Sequence, residues 1–270
     1  MISIVICSIN KTFLLNISKN IEETIGLPFE ILSFDNSISK RSLASVYNDL
    51  GNKAKFDIIS FIHEDVIFHT KGWGIILVKL LTDKNIGLIG ISGATYKSKY
   101  PGTWSTCDKV FYRTHSIQHF KGVAKPVTTN INPDNALYAK VAVIDGVFMS
   151  TSKKVFAEFK FDEKLLKKFH SYDLDFSLQI GSKYDVIVSY EILIEHMSEG
   201  TLDADWLNDS IELHKKWESV LPLNVGSKLY YNMKTSDYKS CCNMLNTALK
   251  ASKIKIILKY YFLCISKFFF

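Results

Sequence analysis

Several features by which other protein classes are recognised are scarce in this sequence or missing from it. Its 270 residues contain five cysteines, an odd number, with no CxxC pair and no other metal-ligand spacing, which argues against a zinc-finger framework. We therefore expect reduced thiols, as in cytosolic proteins. The 33 Lys and Arg against 27 Asp and Glu give a net charge of only +6 without an arginine-rich run, so no nucleic-acid partner is indicated.

Two further absences concern the N-terminal region. No basic stretch precedes the first apolar run, and Ile2–Cys7 is too short for the core of a signal peptide, so we expect a cytoplasmic protein. No glycine-rich, basic loop follows that run, which argues against a nucleotidyltransferase that cradles phosphates in such a loop. The hydrophobic share of 47% is enough for one large domain, or for one domain with an appendage.

In the first third of the chain, short apolar or β-branched runs alternate with segments whose apolar residues recur at helical spacing. This alternation predicts an α/β fold: a mostly parallel sheet flanked by helices and joined by right-handed crossovers. Ser42 is placed to cap the second helix, which we expect to end at Ala54. The predicted strands are Ile2–Cys7, Phe29–Phe34, Phe56–Val66 and Ile86–Ile91, and the other predicted helices are Leu14–Ile25 and Trp73–Leu81.

The pattern breaks between residues 94 and 138, where prolines and glycines stand among polar and aromatic residues. We expect irregular loops here, with room for a small hairpin, and long segments of this kind are often functional. Regular signals return after them, and the composition shifts toward Lys, Tyr and Asn after Leu223. We therefore predict a main domain of residues 1–222 and a helical, basic and hydrophobic tail of residues 223–270. The returning elements are predicted strands at Val141–Ile144, Val147–Ser150, Val186–Val188 and Ile192–Ile194, and predicted helices at Lys153–Phe159, His170–Ile180 and Asp205–Val220.

The run Phe56–Val66 is interpreted as a buried parallel strand, because it is short, largely apolar and preceded by a predicted helix. It closes on His63-Glu64-Asp65 and Val66. Ligands of open α/β sheets bind at the carboxyl ends of such strands, and two carboxylates with an imidazole suit a divalent cation. A solvated acidic turn that closes the strand is an equally simple interpretation.

Seven polar motifs follow one another between residues 2 and 198. They are Ser8 at the end of the first strand, Asp35-Asn36-Ser37, Asn48, His63-Glu64-Asp65, Asp145-Gly146-Val147-Phe148-Met149, Tyr172-Asp173-Leu174-Asp175-Phe176 and Glu195-His196-Met197-Ser198. In their order and spacing the chain resembles nucleotide-sugar glycosyltransferases of the GT-A fold. It is similar to the family 2 glycosyltransferases, and within them to bacterial glycosyltransferase-like proteins with an HxD variant of the DxD motif. The resemblance implies a Rossmann-like GT-A sheet flanked by helices, to which the chain adds a C-terminal helical extension.

The chain departs from the family pattern at two positions. His63 stands where the usual motif has an acidic residue, and Tyr172 precedes Asp173 where many relatives have glutamate. The first departure lowers the negative charge of the site. The second retains the aspartate that the family pattern assigns as the base.

The resemblance implies a metal site for Mn²⁺ or Mg²⁺. Asp65 is the implied first protein ligand and His196 the second, while His63 would reach the nucleotide or the water shell of the metal. A divalent cation offsets the charge that develops on a departing diphosphate, and imidazole suits Mn²⁺ better than Mg²⁺. Both histidines are also compatible with ordinary hydrogen-bonded positions at strand ends.

Asp173 is the implied catalytic base, which would take the proton of the acceptor hydroxyl during one displacement that inverts the anomeric carbon. The alternative is that Asp173 and Asp175 are simply acids at a helix start, where the helix dipole favours negative charge. Trp104, Tyr112 and Tyr138 are expected to stack on acceptor sugar rings or to pin the loops that carry them.

The implied nucleotide and donor contacts lie at the ends of the first strands and at an Asp-Gly pair. Base and ribose would be bound near the first two strand ends, with Asn48 bracing the pocket. Glu64 would orient sugar or ribose hydroxyls or point away. Gly146 would allow close backbone approach to the donor sugar. The full implied set is Ser8, Asp35, Ser37, Asn48, His63, Glu64, Asp145 and Gly146.

The function implied by the resemblance is an inverting glycosyltransferase that builds a bacterial surface polysaccharide or glycoconjugate. Its partners would be a nucleotide-diphosphate sugar donor and a glycan or lipid-linked acceptor. The alternative is a non-catalytic relative that binds a nucleotide sugar or a glycan, with the altered HxD motif marking the loss of activity.

The tail from Lys250 to Phe270 alternates large apolar residues with lysines. Its longest uncharged run, Tyr260–Ser266, is far below the roughly 20 residues that a spanning helix needs. Lysines beside aromatic residues suit the membrane interface, so we expect peripheral contact with the inner face of the cell membrane. The alternative is a helix that packs on the domain or on a second subunit.

Overall fold

A computed structural model describes residues 1–268 of the chain, which form fifteen strands and eight α-helices. The strands are β1 (Ile2–Ser8), β2 (Phe29–Asp35), β3 (Ile58–His63), β4 (Val66–Phe68), β5 (Ile86–Gly90), β6 (Ser92–Ala94), β7 (Tyr96–Lys97), β8 (Tyr112–Gln118), β9 (Val127–Ile131), β10 (Tyr138–Lys140), β11 (Val143–Ile144), β12 (Phe148–Ser152), β13 (Asp185–Ser189), β14 (Ile194–His196) and β15 (Leu223–Asn224). The helices are α1 (Lys11–Thr24), α2 (Leu43–Lys53), α3 (Trp73–Leu80), α4 (Lys153–Glu158), α5 (Tyr172–Gly181), α6 (Ala204–Lys216), α7 (Tyr230–Lys250) and α8 (Ile254–Phe268).

The central sheet has seven strands in the order β10-β13-β5-β12-β3-β1-β2. Strand β1 is parallel to both β2 and β3, and β13 is parallel to β5, whereas β12 and β10 run antiparallel to their neighbours. This architecture confirms the predicted α/β class and the mostly parallel sheet. Ser8 lies opposite Asp35, and Cys7 lies opposite His63, so the polar residues that end β1, β2 and β3 share one edge of the sheet.

Both faces of this sheet are buried, because alternate side chains of each strand point into different cores. Ile4 and Ile6 of β1 pack with α1 and α3, while Val5 between them packs with α2, α4 and α5. Strand β3 divides in the same way, with Ile62 on the first face and Phe61 on the second. Burial on both sides explains why these strands are continuous apolar runs.

The segment 94–138 is more regular than predicted. Strands β6 and β8 are antiparallel neighbours in a second sheet of six strands, which also contains β4, β9, β11 and β14. Thr114 and Ser116 of β8 line a cavity rather than an apolar core. Because these side chains are polar, β8 lacks the alternating apolar pattern by which strands are predicted from sequence. The predicted run Phe56–Val66 is likewise divided, into β3 and β4, by a turn at residues 64–65.

The C-terminal helices are present and pack on the preceding chain. Tyr260 of α8 is buried beside Met244 of α7 and Trp206 of α6. Asp237 of α7 accepts hydrogen bonds from the hydroxyls of Tyr96 and Ser98, each at 2.7 Å. In the part of the chain that the structure describes, no helix combines the length and the apolar character needed to cross a membrane.

Candidate active site

His63, Asp65 and His196 converge at the junction of the two sheets. His63 ends β3, Asp65 lies in the following turn, and β14 pairs antiparallel with β4 so that His196 stands opposite Val66. One ligand atom from each of the three side chains lies within 4.8 Å of the other two. Nε2 of His196 is 3.4 Å from Oδ1 of Asp65, and the two imidazole rings have their centroids 5.6 Å apart.

The electrostatics of this cluster favour an ionised Asp65 and a neutral His63. Burial opposes ionisation of Asp65, but its interactions with His196, Ser198 and His63 outweigh burial and hold its pKa well below the ordinary value. Burial, reinforced by the neighbouring His196, lowers the pKa of His63. Nε2 of His196 is buried and has no hydrogen-bond partner among residues 1–268. One carboxylate and two imidazoles therefore fit a divalent cation, and this donor set favours Mn²⁺ over Mg²⁺.

An acidic pair, Asp145 and Asp173, lies near His63 at the same cavity. Asp173 is the second residue of α5, and its Oδ2 accepts a hydrogen bond of 3.0 Å from the backbone N–H of Gly146. Asp145 accepts bonds from the N–H of Val147 and from the indole N–H of Trp104. Burial, together with the charge of Asp145, raises the pKa of Asp173 to about 7. A carboxyl group with such a pKa can accept a proton near neutral pH.

Gly146 is required by close packing at this point. A Cβ at residue 146 would collide with the hydroxyl of Tyr172, the first residue of α5. That hydroxyl lies 2.7 Å from Nε2 of His63 and forms a hydrogen bond with it. We call His63, Asp65 and His196 the metal-type cluster. The contact between Tyr172 and His63 joins this cluster to the acidic pair.

One cavity of about 690 Å³ is bordered by the acidic pair, by Gly146 and by the two histidines of the cluster, His63 and His196, whereas Asp65 lies behind its wall. Much of the remaining wall comes from the second sheet and from the segments at residues 169–174 and 198–202. Trp104, Tyr112 and Gln118 are part of it, whereas Tyr138 lies on edge strand β10 and is not.

The sequence matches the profile of the family described as "Glycosyltransferase like family" over residues 3–216. The chain belongs to this glycosyltransferase-like family. No curated protein matches the sequence at a significant level.

One solved structure shares the architecture at low sequence identity. A structure of GalNAc-T7 with UDP, GalNAc and Mn²⁺ superposes with a TM-score of 0.55 at 10% identity, which shows a common fold. The match covers 88% of this chain and 54% of that one, so the chain spans about half the length of GalNAc-T7. The mannosyltransferase PcManGT from Pyrobaculum calidifontis, in complex with GDP-Man and Mn²⁺, gives a TM-score of 0.49 at 9% identity, over 98% of this chain and 81% of that one.

In this glycosyltransferase-like chain, the other predicted nucleotide contacts lie along the edge formed by β1, β2 and β3. Glu64 turns toward the end of β1, where its carboxylate accepts bonds from the Ser8 hydroxyl at 2.5 Å and from the Asn10 N–H at 3.0 Å. Asp35 is exposed and accepts bonds from the hydroxyl and N–H of Ser37, which lower its pKa. Glu64 therefore fixes the loop after β1, and its predicted contact with donor hydroxyls stays a prediction.

Asn48 lies apart from the large cavity. Its amide donates to the carbonyl of Phe161 at 2.9 Å and accepts from the N–H of the same residue at 3.1 Å. Asn48 lines a separate, shallower depression of about 410 Å³. The side chain thus braces the segment after α4.

Two residues support the site from outside it, and a support role was predicted only for Asp175. Asp175 is fully buried two residues after Asp173 and pairs with Lys216 at 2.8 Å and with the Trp217 indole at 2.7 Å, so it fastens α5 to the end of α6. Gln118 contacts His196 at 3.1 Å from the neighbouring strand β8. Asp175 was recognisable as an acid beside Asp173. Gln118 carries no sequence signal, because its role depends on a strand pairing between distant segments.

Proposed function

We propose that the protein is a metal-dependent, inverting glycosyltransferase that moves a sugar from a nucleotide-diphosphate donor to a glycan or lipid-linked acceptor. The observation that carries this proposal is the shared cavity: the two histidines of the metal-type cluster and a separate carboxyl group of raised pKa border the same space. The GalNAc-T7 structure, which shares this fold and contains UDP and Mn²⁺, supports the same chemistry for this chain.

In this proposal, His63, Asp65 and His196 hold Mn²⁺ or Mg²⁺. When bound, the cation supplies Lewis-acid stabilisation of the departing diphosphate. The protein holds the carboxylate of Asp65 ionised and His63 neutral, which are the protonation states that ligate a cation. Ser8, Asp35 and Ser37, at the adjoining strand ends, would then contact the nucleotide.

Asp173 is the proposed base. The hydrogen bond from Gly146 orients its carboxyl group, and the raised pKa matches removal of a hydroxyl proton near pH 7. A helix dipole lowers the pKa of an acid in the first turn, so the raised value argues against a purely dipole-stabilising role. One base and one displacement give inversion of configuration at the anomeric carbon.

Turnover and stereochemistry together test the proposal. Purified protein is incubated with a panel of nucleotide-diphosphate sugars and Mn²⁺, and free nucleotide diphosphate is measured with and without EDTA. We expect release that EDTA abolishes, and product NMR showing the anomeric configuration opposite to that of the donor. Binding detected by thermal shift without any release would instead identify a non-catalytic nucleotide-sugar or glycan binder, and a product with retained configuration would exclude the single displacement.

The acceptor is proposed to be lipid-linked because α8 carries an exposed apolar stripe beside exposed lysines. Ile254, Leu258, Tyr261 and Phe262 are between 50% and 71% exposed, and Lys255 and Lys259 are also exposed. Such a surface suits contact with anionic lipid headgroups. A peripheral position at the cytoplasmic face of a bacterial membrane, in surface polysaccharide synthesis, would bring the cavity near such an acceptor.

A further inference from the structure

His196 has one ring nitrogen that faces a single neutral side chain. Strand β14 runs parallel to β8, and the pairing places His196 opposite Gln118. Nδ1 of His196 lies 3.1 Å from Oε1 of Gln118. The state of the imidazole therefore depends on which end of the Gln118 amide points toward it.

The orientation of that amide is decided by its other contacts. Nε2 of Gln118 lies 2.9 Å from the carbonyl oxygen of His119 and 2.5 Å from that of Ser198. Carbonyl oxygens only accept hydrogen bonds, so the NH₂ group must face them and Oε1 must face His196. An amide turned the other way would oppose oxygen to oxygen at both carbonyls.

An oxygen acceptor at this distance requires the proton of the neutral ring to be on Nδ1 of His196. Nε2 then carries a lone pair. That lone pair is buried 3.4 Å from the carboxylate of Asp65, and Nε2 has no hydrogen-bond partner among the described residues. With the neutral ring, two electron-rich groups then lie side by side in a buried site, and either a metal ion or a second proton on the imidazole removes the conflict.

We infer that Gln118 is a positioning residue that holds His196 in the Nδ1–H tautomer, so that its Nε2 lone pair is formed in advance for a metal ion. The inference deepens the proposed function. It rests on that function only for the role of the metal ion in catalysis, and not for the tautomer itself. A hydrogen bond to the second ring nitrogen commonly fixes the tautomer of a metal-binding histidine.

The other imidazole of the cluster is held differently. Its partner is the hydroxyl of Tyr172, at 2.7 Å from Nε2 of His63, and a hydroxyl can donate or accept. Tyr172 therefore leaves the tautomer of His63 open, whereas the Gln118 amide permits only one for neutral His196. This difference makes residue 118 the position at which the tautomer can be tested.

The first test observes the tautomer directly in metal-free protein. The chain contains seven histidines, all of which give signals when the protein is labelled with ¹⁵N-histidine. The signals that are missing from the spectrum of His196→Gln are those of His196. Two-bond ¹H–¹⁵N correlations distinguish Nδ1–H, Nε2–H and imidazolium forms. We expect the Nδ1–H form in the wild-type chain, and either of the other two forms overturns the inference.

The second test compares two substitutions that differ in the acceptor. Gln118→Met removes the acceptor and the donors, whereas Gln118→Glu keeps an acceptor oxygen and removes the amide donors. We expect Nδ1 of His196 to lose its proton in Gln118→Met and to keep it in Gln118→Glu, where the added carboxylate also favours a second proton on Nε2. Thermal unfolding checks that both variants are folded. If one variant does not fold, the spectrum of the wild-type protein still shows which tautomer His196 adopts.

The last readout is the affinity for Mn²⁺ alone, measured by electron paramagnetic resonance without any nucleotide. Loss of an outer-shell partner weakens metal binding by about 10–100-fold, which we expect for Gln118→Met and not for Gln118→Glu. Unchanged affinity for Mn²⁺ in Gln118→Met would show that Gln118 does not contribute to metal binding. Neither readout requires a donor sugar, so failure of the proposed transferase reaction is distinguishable from failure of this inference.

Discussion

The phenolic oxygen of Tyr172 lies 2.7 Å from Nε2 of His63, so the two positions at which the sequence is predicted to depart from the pattern of similar glycosyltransferases contact each other. Acidic side chains at both positions would place two carboxyl groups in a buried contact, where like charges strongly disfavour joint ionisation. A histidine and a tyrosine form a neutral hydrogen-bonded pair instead. The two departures are therefore physically coupled, and a change at one should be felt at the other.

Substitution of Tyr172 by phenylalanine tests this pair. The change leaves the buried Nε2 of His63 without its hydroxyl partner, and an unsatisfied buried polar group lowers the free energy of unfolding by about 1–3 kcal/mol. Urea denaturation measures the change. Tyr47→Phe is the matched control, since Tyr47 packs 5.7 Å from the Tyr172 ring and its buried hydroxyl has no hydrogen-bond partner among the described residues. Equal effects of the two substitutions would show that the His63 contact contributes nothing to stability.

Asp173→Asn tests the base. Asparagine keeps the size of the side chain and an acceptor for the Gly146 N–H but cannot take up the proton, so turnover should fall by about 10²–10⁴-fold. Calorimetry should show nearly unchanged affinity for donor and Mn²⁺, because Asp173 is not part of the metal-type cluster. Turnover at the wild-type level would leave Asp173 as an acid at a helix start and would require another base.

The same carboxyl group predicts how stability depends on pH. Its folded-state pKa, raised from 3.8 to about 7, means that the folded chain holds a proton that the unfolded chain has already lost. This contribution to stability is complete below pH 3.8 and is lost as the pH rises toward 7. In metal-free protein, the free energy of unfolding of the wild type should therefore decline, relative to Asp173→Asn, across this interval. A difference that stays constant with pH contradicts the raised pKa.

Much of the fold follows from the sequence where both faces of a strand are buried. Ile58–His63 is a largely apolar run for this reason, and it lies within the predicted strand Phe56–Val66, although the structure ends it at the turn of residues 64–65. Strand β8 was missed because Thr114 and Ser116 face a cavity, which removes the apolar pattern.

In the candidate site, too, some residues could be predicted from the sequence and others could not. His63, Asp65 and His196 were named from motif order, and the sheet topology brings them together. Gln118 was not found, since its contact with His196 exists only through the pairing of β8 with β14.

The metal site predicts different effects for its ligands. Asp65→Ala removes the only carboxylate of the cluster and should abolish binding of Mn²⁺ with nucleotide, whereas His196→Ala leaves two ligands and should weaken it. Titration calorimetry measures both, and circular dichroism checks that the sheet remains folded. Asp49→Ala, at an exposed salt bridge with Lys53, is a control in which one carboxylate is lost elsewhere. Wild-type affinity in Asp65→Ala would exclude this residue as a ligand.

The last prediction concerns the exposed stripe of α8. Truncation of the tail is a poor test, because α8 buries Tyr260 and Cys264 against α7 and the cut would expose that core. Leu258 and Phe262 are 52% and 64% exposed, so their replacement by glutamate leaves the packed side of the helix intact. It also places two negative charges where lysines are proposed to meet anionic lipid.

We expect the wild-type chain to float with anionic vesicles at low salt, and Leu258→Glu/Phe262→Glu to stay in the protein fraction with an unchanged melting temperature. Neutral vesicles serve as the control for charge. Failure of the wild-type chain to float with anionic vesicles would identify α8 as a packing or dimerisation element, and size-exclusion chromatography of the double variant would then separate these two roles.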